Sequence, residues 1–155
     1  MIFSKVNFNN KKSVEKVERI TDNLTEIYIS CNHMCYTFCY SFSINKSENS
    51  WIFSADCSMK DDYSKIELEN CIVNNSDVQE LFEILKNKRQ NGKSLIEYIR
   101  DYKPPKVSNK FFALDETSYH FSFSYADMAS DSANIRPDKE VEDFFYKLAK
   151  KYYKK

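Results

Sequence analysis

The chain contains one glycine, Gly92, in 155 residues, whereas average usage of ~7% would give about eleven. Phosphate-binding loops and sharp catalytic turns need several glycines, because their backbone must approach a ligand closely or take a positive φ. One glycine builds neither a GxGxxG loop, nor a Walker loop, nor a GxSxG nucleophile elbow. The sequence therefore excludes enzymes that depend on these motifs.

The sequence also has no excess of charge and no long hydrophobic run. Its 23 basic and 23 acidic residues cancel, whereas nucleic-acid-binding proteins usually carry a basic excess. No apolar run approaches the ~18 residues of a membrane-spanning helix, and residues 1–16 lack the apolar stretch of a signal peptide. We therefore expect a cytoplasmic protein with neither a nucleic-acid partner nor a membrane contact.

The five cysteines are an odd number, which favours thiols in a reducing cytosol over a disulfide framework. Cys31, His33, Cys35 and Cys39 form a Cys-x-His-x-Cys-x3-Cys motif. Structural zinc sites prefer CxxC spacing, and residues two apart on a strand are ~6.5–7 Å apart, too far for one ion. We therefore expect no metal and no cofactor.

Aromatic residues are abundant, with twelve Phe and eleven Tyr. Each large ring buries ~150–250 Å², so these residues can supply most of a hydrophobic core. A chain of this length is expected to form a single domain, residues 1–155. Residues 1–20 show no clear period and fit either a short helix or an extended segment.

Alternating apolar residues predict four strands at 24–31, 34–44, 51–59 and 65–73. A two-residue turn at Asn32-His33 would pair Ile29 with Tyr36, and the next hairpin would pair Phe42 with Phe53. These registers place all the apolar side chains of the hairpins on one face of the sheet. They send the rings of Phe38 and Phe53, and of Phe121 further along the chain, into the core.

Helical periodicity follows the fourth strand. Ser76 and Gln79 resemble a capping box at the start of one helix, a second begins at about Ser94, and Pro137 opens the last. Further strands are predicted at 110–114, 117–125 and 132–136. The fold class is therefore α+β: a mostly antiparallel β-meander sheet, packed on one face by about three amphipathic helices, in the order ββββ-αα-βββ-α.

The predicted second face of the sheet carries small polar side chains instead of the long charged ones that usually face solvent. The candidate binding residues on this face are Tyr28, Cys35, Thr37, Cys39, Ser41, Asp56, His120 and Ser122. Small side chains let another surface approach closely, so the face suits a protein partner or a second copy of the chain. The alternative is that the N-terminal segment or a loop covers it.

Charge is unevenly distributed along the chain. Residues 48–83 hold nine acidic residues against two basic ones, and residues 86–110 hold eight basic residues against two acidic ones. The candidate acidic patch consists of Asp61, Asp62, Glu67 and Glu69. It is either an ordinary solvated surface or a patch that attracts a basic partner.

These features favour a non-catalytic protein-binding domain, of the kind that acts as an inhibitor or immunity protein and binds a basic protein partner. One alternative is a small enzyme that uses Cys39 with His120, or the paired carboxylates Glu67 and Glu69. The other is a structural domain that self-associates into a homodimer through its small-residue face.

Overall fold

The structure, a computed structural model, describes residues 22–32, 39–59, 62–103 and 117–153. Several features predicted from the sequence lie outside the described residues: residues 1–20, Cys35, Thr37, Phe38, Asp61 and the strand at 110–114.

Strands and helices alternate in blocks along the described part of the chain. The strands are β1 (Leu24–Asn32), β2 (Tyr40–Ser47), β3 (Ser50–Ser58), β4 (Lys65–Val73), β5 (Ser118–Tyr125) and β6 (Ser130–Ala133). The helices are α1 (Asn75–Lys86), α2 (Leu95–Arg100) and α3 (Lys139–Tyr152). The predicted α+β class is confirmed, with a six-stranded antiparallel sheet and three helices among the described residues.

The strand order in the sheet is β4-β3-β2-β1-β5-β6. The first four strands form the predicted meander. After α1 and α2 the chain returns to pair β5 along the second edge of β1, and β6 continues the sheet as a hairpin with β5. None of the described helices is long and apolar enough to cross a bilayer.

The helices cover one face of the sheet. Phe42, Phe53, Phe121 and Phe145 are all fully buried, and the Phe145 ring on α3 stacks on Phe42 with centroids 5.4 Å apart. The predicted inward orientation of Phe53 and Phe121 is confirmed. Stacked and edge-on aromatic pairs of this kind stabilise a core beyond the area that they bury.

Both predicted hairpin registers are wrong. Ile29 pairs with Phe42, six residues beyond the predicted Tyr36, and Phe42 pairs with Ala55, two residues beyond the predicted Phe53. Both errors are even numbers, and side chains alternate between faces with a period of two. The predicted division of residues between the two faces therefore survives the wrong registers.

The predicted helix starts need correction in two places. α1 begins after Asn74, whose side chain makes no capping hydrogen bond, so the Ser76–Gln79 capping box is not formed. A capping box is formed at Ser94, where Glu97 completes the reciprocal hydrogen bonds at the start of α2. α3 begins one residue after Asp138, whose carboxylate accepts from the Val141 amide, so Pro137 precedes the helix.

A bulge interrupts the β3–β4 pairing. The register shifts between Phe53 and Ala55, and Asn70 takes a positive φ of 54°. The Asn70 amide leaves the ladder and donates to Ser54 Oγ at 3.1 Å. Bulges bend a strand and redirect its side chains, and this one shapes the surface described next.

Candidate functional site

The face of the sheet opposite the helices carries a continuous row of polar residues. His120 pairs with Ser30, Ser30 with Ser41, Ser41 with Asp56 and Asp56 with Glu67. One cross-strand row therefore runs from β5 through β1, β2 and β3 to β4. We call this surface the serine face.

A second row lies beside the first. Ser122 pairs with Tyr28, Tyr28 with Ser43 and Ser43 with Ser54. Tyr28 connects the two rows, because its hydroxyl lies 3.4 Å from Ser41 Oγ and its ring centroid lies 6.1 Å from that of His120. The predicted candidates Tyr28, Ser41, Asp56, His120 and Ser122 thus share one face.

The serine face is concave at its β2–β3–β4 side. The concavity has a volume of about 370 Å³. Its polar lining, which we call the acidic groove, consists of Ser41, Ser43, Ser54, Asp56, Glu67 and Glu69. The sequence predicts the small-residue face and the acidic patch as separate features, whereas the structure places parts of both in one depression.

The negative charge of the acidic groove is only partly neutralised. Lys65 Nζ lies 2.8 Å from Glu67 Oε1, and this ion pair lowers the pKa of Glu67. Among the described residues, the side chains of Asp56 and Glu69 make no hydrogen bond or ion pair. Asp56 and Glu67 are directly opposite across two strands, an arrangement in which like charges destabilise a sheet.

The remaining candidates lie elsewhere. Asp62 is exposed in the turn before β4, where its carboxylate accepts from the Ser64 amide at 3.0 Å. Cys39 is half-buried immediately before β2, and Cys35, Thr37 and Asp61 lie outside the described residues.

The proposed Cys39–His120 pair is not formed. Cys39 precedes β2 and His120 lies on β5, with β1 between these strands. Two strand spacings separate the residues by ~10 Å in that direction alone, beyond the reach of a hydrogen bond between nucleophile and base. The His120 Nδ1 lies instead 3.1 Å from Asn134 Oδ1.

A second polar cluster, which the sequence analysis missed, lies on the core side of the sheet. Tyr119 pairs with Cys31, Cys31 with Tyr40 and Tyr40 with Cys57. Glu142 of α3 lies close enough to raise the pKa of Tyr40, after the larger effect of burial. No periodicity signal could have found this cluster, since it depends on the placement of α3 over one end of the sheet.

Burial makes the thiols of this cluster poor nucleophiles. It raises the pKa of Cys31, and burial together with the nearby Asp56 charge raises the pKa of Cys57 to about 11. A thiol with a raised pKa carries little thiolate at neutral pH, and the thiolate is the reactive form.

Within the described ranges, no group of three or more His, Cys, Asp or Glu side chains could hold a metal ion. His33 and Cys35 of the Cys-x-His-x-Cys-x3-Cys motif lie outside those ranges. Cys31, the first residue of the motif, is buried on the core side of β1.

No protein-family model, curated protein or solved structure matches this chain.

Proposed function

We propose that this chain is a non-catalytic protein-binding domain, of the inhibitor or immunity type, that receives basic side chains of a partner protein in the acidic groove. The observation that carries this proposal is the position of Asp56. Its carboxylate lies on β3, one strand in from β4 and opposite the like charge of Glu67, without an ion pair among the described residues.

The facing charges of Asp56 and Glu67 affect the free energy of folding. Like charges directly opposite on neighbouring strands destabilise a sheet by roughly 0.2–1 kcal/mol. Lys65 offsets part of this repulsion through its ion pair with Glu67, and a polar or apolar residue at position 56 would avoid the rest. An arginine or lysine of a partner would convert the repulsion into attraction. The acidic groove thus has the charge expected of a binding surface for a basic group.

The shape of the surface supports the same proposal. Ser41, Ser43 and Ser54 line the acidic groove with short hydroxyl side chains. Their hydroxyls can donate and accept hydrogen bonds, and their small size lets a partner backbone approach the sheet closely. Long charged side chains at these positions would prevent that contact.

The thiols and the histidine support a non-catalytic function. The raised pKa values of Cys31 and Cys57 keep both thiols protonated, and His120 lies two strands away from Cys39. Cys31, Cys39, Cys57 and Cys71 all carry thiols and not disulfides, which suits the proposed cytoplasmic location.

The test is affinity capture from the native host with three immobilised proteins. These are the wild type, the double variant Asp56→Asn/Glu67→Gln, and the control Glu140→Gln, which removes an exposed carboxylate from α3. We expect mass spectrometry to identify a stoichiometric partner with a basic surface that binds the wild type and the control. The double variant should lose it, and rising salt should weaken the complex.

A partner that binds the double variant as well as the wild type contradicts the proposal, as does the repeated absence of any stoichiometric partner. Recovery of the chain itself would favour the self-associating alternative. Urea unfolding provides the control for folding: Asp56→Asn should leave the free energy of unfolding unchanged or raise it by a few tenths of a kcal/mol, since it removes a repulsion.

A further inference from the structure

A second depression lies on the helix side of the molecule, away from the acidic groove. It is formed by the loop between α1 and α2, the first residues of α2 and the connection from β6 to α3, and its volume is about 240 Å³. We call it the basic cleft. Its lining includes Arg89, Lys93, Leu95, Tyr98, Ile135 and Arg136.

Arg89 is fixed in place by hydrogen bonds along one side of its guanidinium. Its Nε donates to Asp138 Oδ2 at 2.7 Å, and its Nη1 donates to the carbonyls of Ile84 and Asn87 at the end of α1. Its Nη2 is buried and has no hydrogen-bond partner among the described residues, so Arg89 contributes charge to the cleft and no exposed donor. A guanidinium held in this way presents its charge with little loss of side-chain entropy.

Arg136 is fixed in a similar way at the other side of the cleft. Its Nε donates to Glu142 Oε1 at 2.9 Å, and its Cζ lies 5.5 Å from the centroid of the Tyr119 ring. The side chain is 61% exposed, and its amino groups make no hydrogen bond within the described part of the chain. Asp138 and Glu142, four residues apart around the start of α3, therefore orient both arginines.

Lys93 supplies a third cation that can move toward a ligand. Its Nζ lies 3.7 Å from Asp101 Oδ2, and both side chains are about half exposed. Exposed pairs of this kind contribute ~0–1 kcal/mol, so the ammonium can turn to a ligand at little cost. Its backbone is held by the turn at Gly92, whose φ is 79° and whose amide donates to the Arg89 carbonyl at 2.8 Å.

The other walls of the cleft are apolar or aromatic. Leu95 and Ile135 contribute aliphatic surface, and Tyr98 contributes a ring whose residue is 42% exposed. Pockets for drug-sized ligands usually measure ~300–1,000 Å³, so this smaller cleft suits a compact molecule. Asp138 also lines the cleft and pairs with Arg89, so Arg136 and Lys93 supply the donors left for a ligand. Beside an apolar wall, these donors favour an anion that carries a short apolar or aromatic group.

We propose that the basic cleft binds a small phosphate monoester with a compact apolar or aromatic substituent. A phosphate monoester carries a charge of about −1.5 to −2 at pH 7 and three acceptor oxygens, which can accept from the amino groups of Arg136 and from the Lys93 ammonium, beside the fixed charge of Arg89. A carboxylate has two oxygens and one charge and can engage one guanidinium edge at a time. The proposal is independent of the acidic groove, which lies on the opposite face of the sheet.

The test is a titration followed by amide chemical shifts, in a buffer free of phosphate and sulfate, with phenyl phosphate, inorganic phosphate and benzoate as probes. We expect phenyl phosphate to bind more tightly than inorganic phosphate, and inorganic phosphate more tightly than benzoate. The shifts should concentrate at Lys93, Tyr98 and Arg136.

Two variants and one control separate charge from shape. Lys93→Gln should weaken phenyl phosphate binding about tenfold, the loss of one charge-assisted hydrogen bond. Tyr98→Ala should weaken phenyl phosphate but leave inorganic phosphate unchanged. The control Lys46→Gln removes an exposed lysine from β2, distant from the cleft, and should change neither affinity.

Each contrary result overturns a stated part of the proposal. Absence of shifts in the cleft with all three probes excludes an anion site there. Equal weakening by Lys93→Gln and Lys46→Gln reduces the binding to general charge attraction. Benzoate binding as tight as that of phenyl phosphate excludes the assignment to phosphate. Both lysines are exposed, so loss of folding does not confound these comparisons, and a urea unfolding curve for each variant verifies this.

Discussion

Two adjacent residues of β2 show how sharply the sheet divides its faces. Phe42 is fully buried against Phe53 and Phe145, whereas Ser43, the next residue, lines the acidic groove. The backbone conformation is the same at both positions. The difference in environment arises from the alternation of side chains along a strand.

This division predicts very different effects of alanine at the two positions. Phe42→Ala should lower the free energy of unfolding by about 3–5 kcal/mol, because it removes a buried ring and leaves a cavity between two other rings. Ser43→Ala should change it by less than about 0.5 kcal/mol, since it removes a hydroxyl from a surface groove. Urea unfolding of both variants measures this difference. Similar losses for the two would mean that the serine face is packed against other structure.

At the scale of elements, Asp77 joins the start of α1 to the end of α3. Its carboxylate accepts from Lys151 Nζ at 2.8 Å and from the Tyr152 hydroxyl at 2.6 Å, and the residue is 8% exposed. Burial alone would raise the pKa of Asp77, but the hydrogen bonds from Lys151 and Tyr152 outweigh it, and the pKa is lowered. The ionised carboxylate is therefore the form that stabilises the contact.

The lowered pKa gives this contact a definite pH dependence. A carboxyl whose pKa is lower in the folded state stabilises the fold above its unfolded pKa of ~3.9 and loses that effect as the pH falls through the folded value. Asp77→Asn should therefore cost about 1–2 kcal/mol at pH 7, and this cost should shrink below about pH 4. Urea unfolding of wild type and variant between pH 7 and pH 3 measures it. A constant cost for Asp77→Asn across the range would contradict the prediction.

The elements themselves were largely predictable from local patterns. The range of β4 agrees with the predicted 65–73, and the start of α2 agrees with the cap at Ser94. The registers failed because the turns lie at other positions than predicted. β2 and β3 pair as far as Ser47 and Ser50, around a turn at Glu48-Asn49, and the β1–β2 pairing lies six residues beyond the predicted register. Alternation determines which face a residue occupies but leaves even-numbered shifts open.

The candidate site was predictable only in part, because its composition depends on pairings between strands. Alternation along β2 and β3 places Ser41 and Asp56 on the serine face from sequence alone. Their proximity to Glu67 requires the β3–β4 register, whereas Glu69 shares the face of Glu67 through the alternation of side chains along β4. The basic cleft was less accessible still, since residues 89–98 and 135–138 come together only through the packing of α2 and α3.

At the scale of the whole molecule, parts of the two charge blocks of the sequence line separate depressions. Asp56, Glu67 and Glu69 line the acidic groove on the serine face, and Arg89 and Lys93 line the basic cleft on the helix side. The molecule therefore has local surfaces of opposite charge, although its net charge is zero. Such segregation favours oriented encounters with charged partners, but it also exposes the molecule to attraction between its own copies.

The edge strand β4 opposes association of another kind. Among the described strands it lies at one end of the sheet, and an uncharged edge strand of nine residues would offer its unpaired backbone groups to another chain. Lys65, Glu67 and Glu69 are exposed along this strand, and the bulge at Asn70 bends it. Charges and bulges are the usual protection of edge strands against pairing with a second copy.

We therefore expect the wild type to sediment as a monomer over a wide concentration range. The triple variant Lys65→Thr/Glu67→Thr/Glu69→Thr should instead associate as its concentration rises. The matched control is Lys139→Gln/Glu140→Gln/Asp143→Asn, which removes one basic and two acidic exposed residues from α3 and should remain monomeric. Because variant and control change the net charge equally, association of the β4 variant alone attributes the effect to the strand edge and not to the total charge. Association of the wild type would instead support the self-associating alternative, and Ser43→Arg would then show whether the serine face forms the contact.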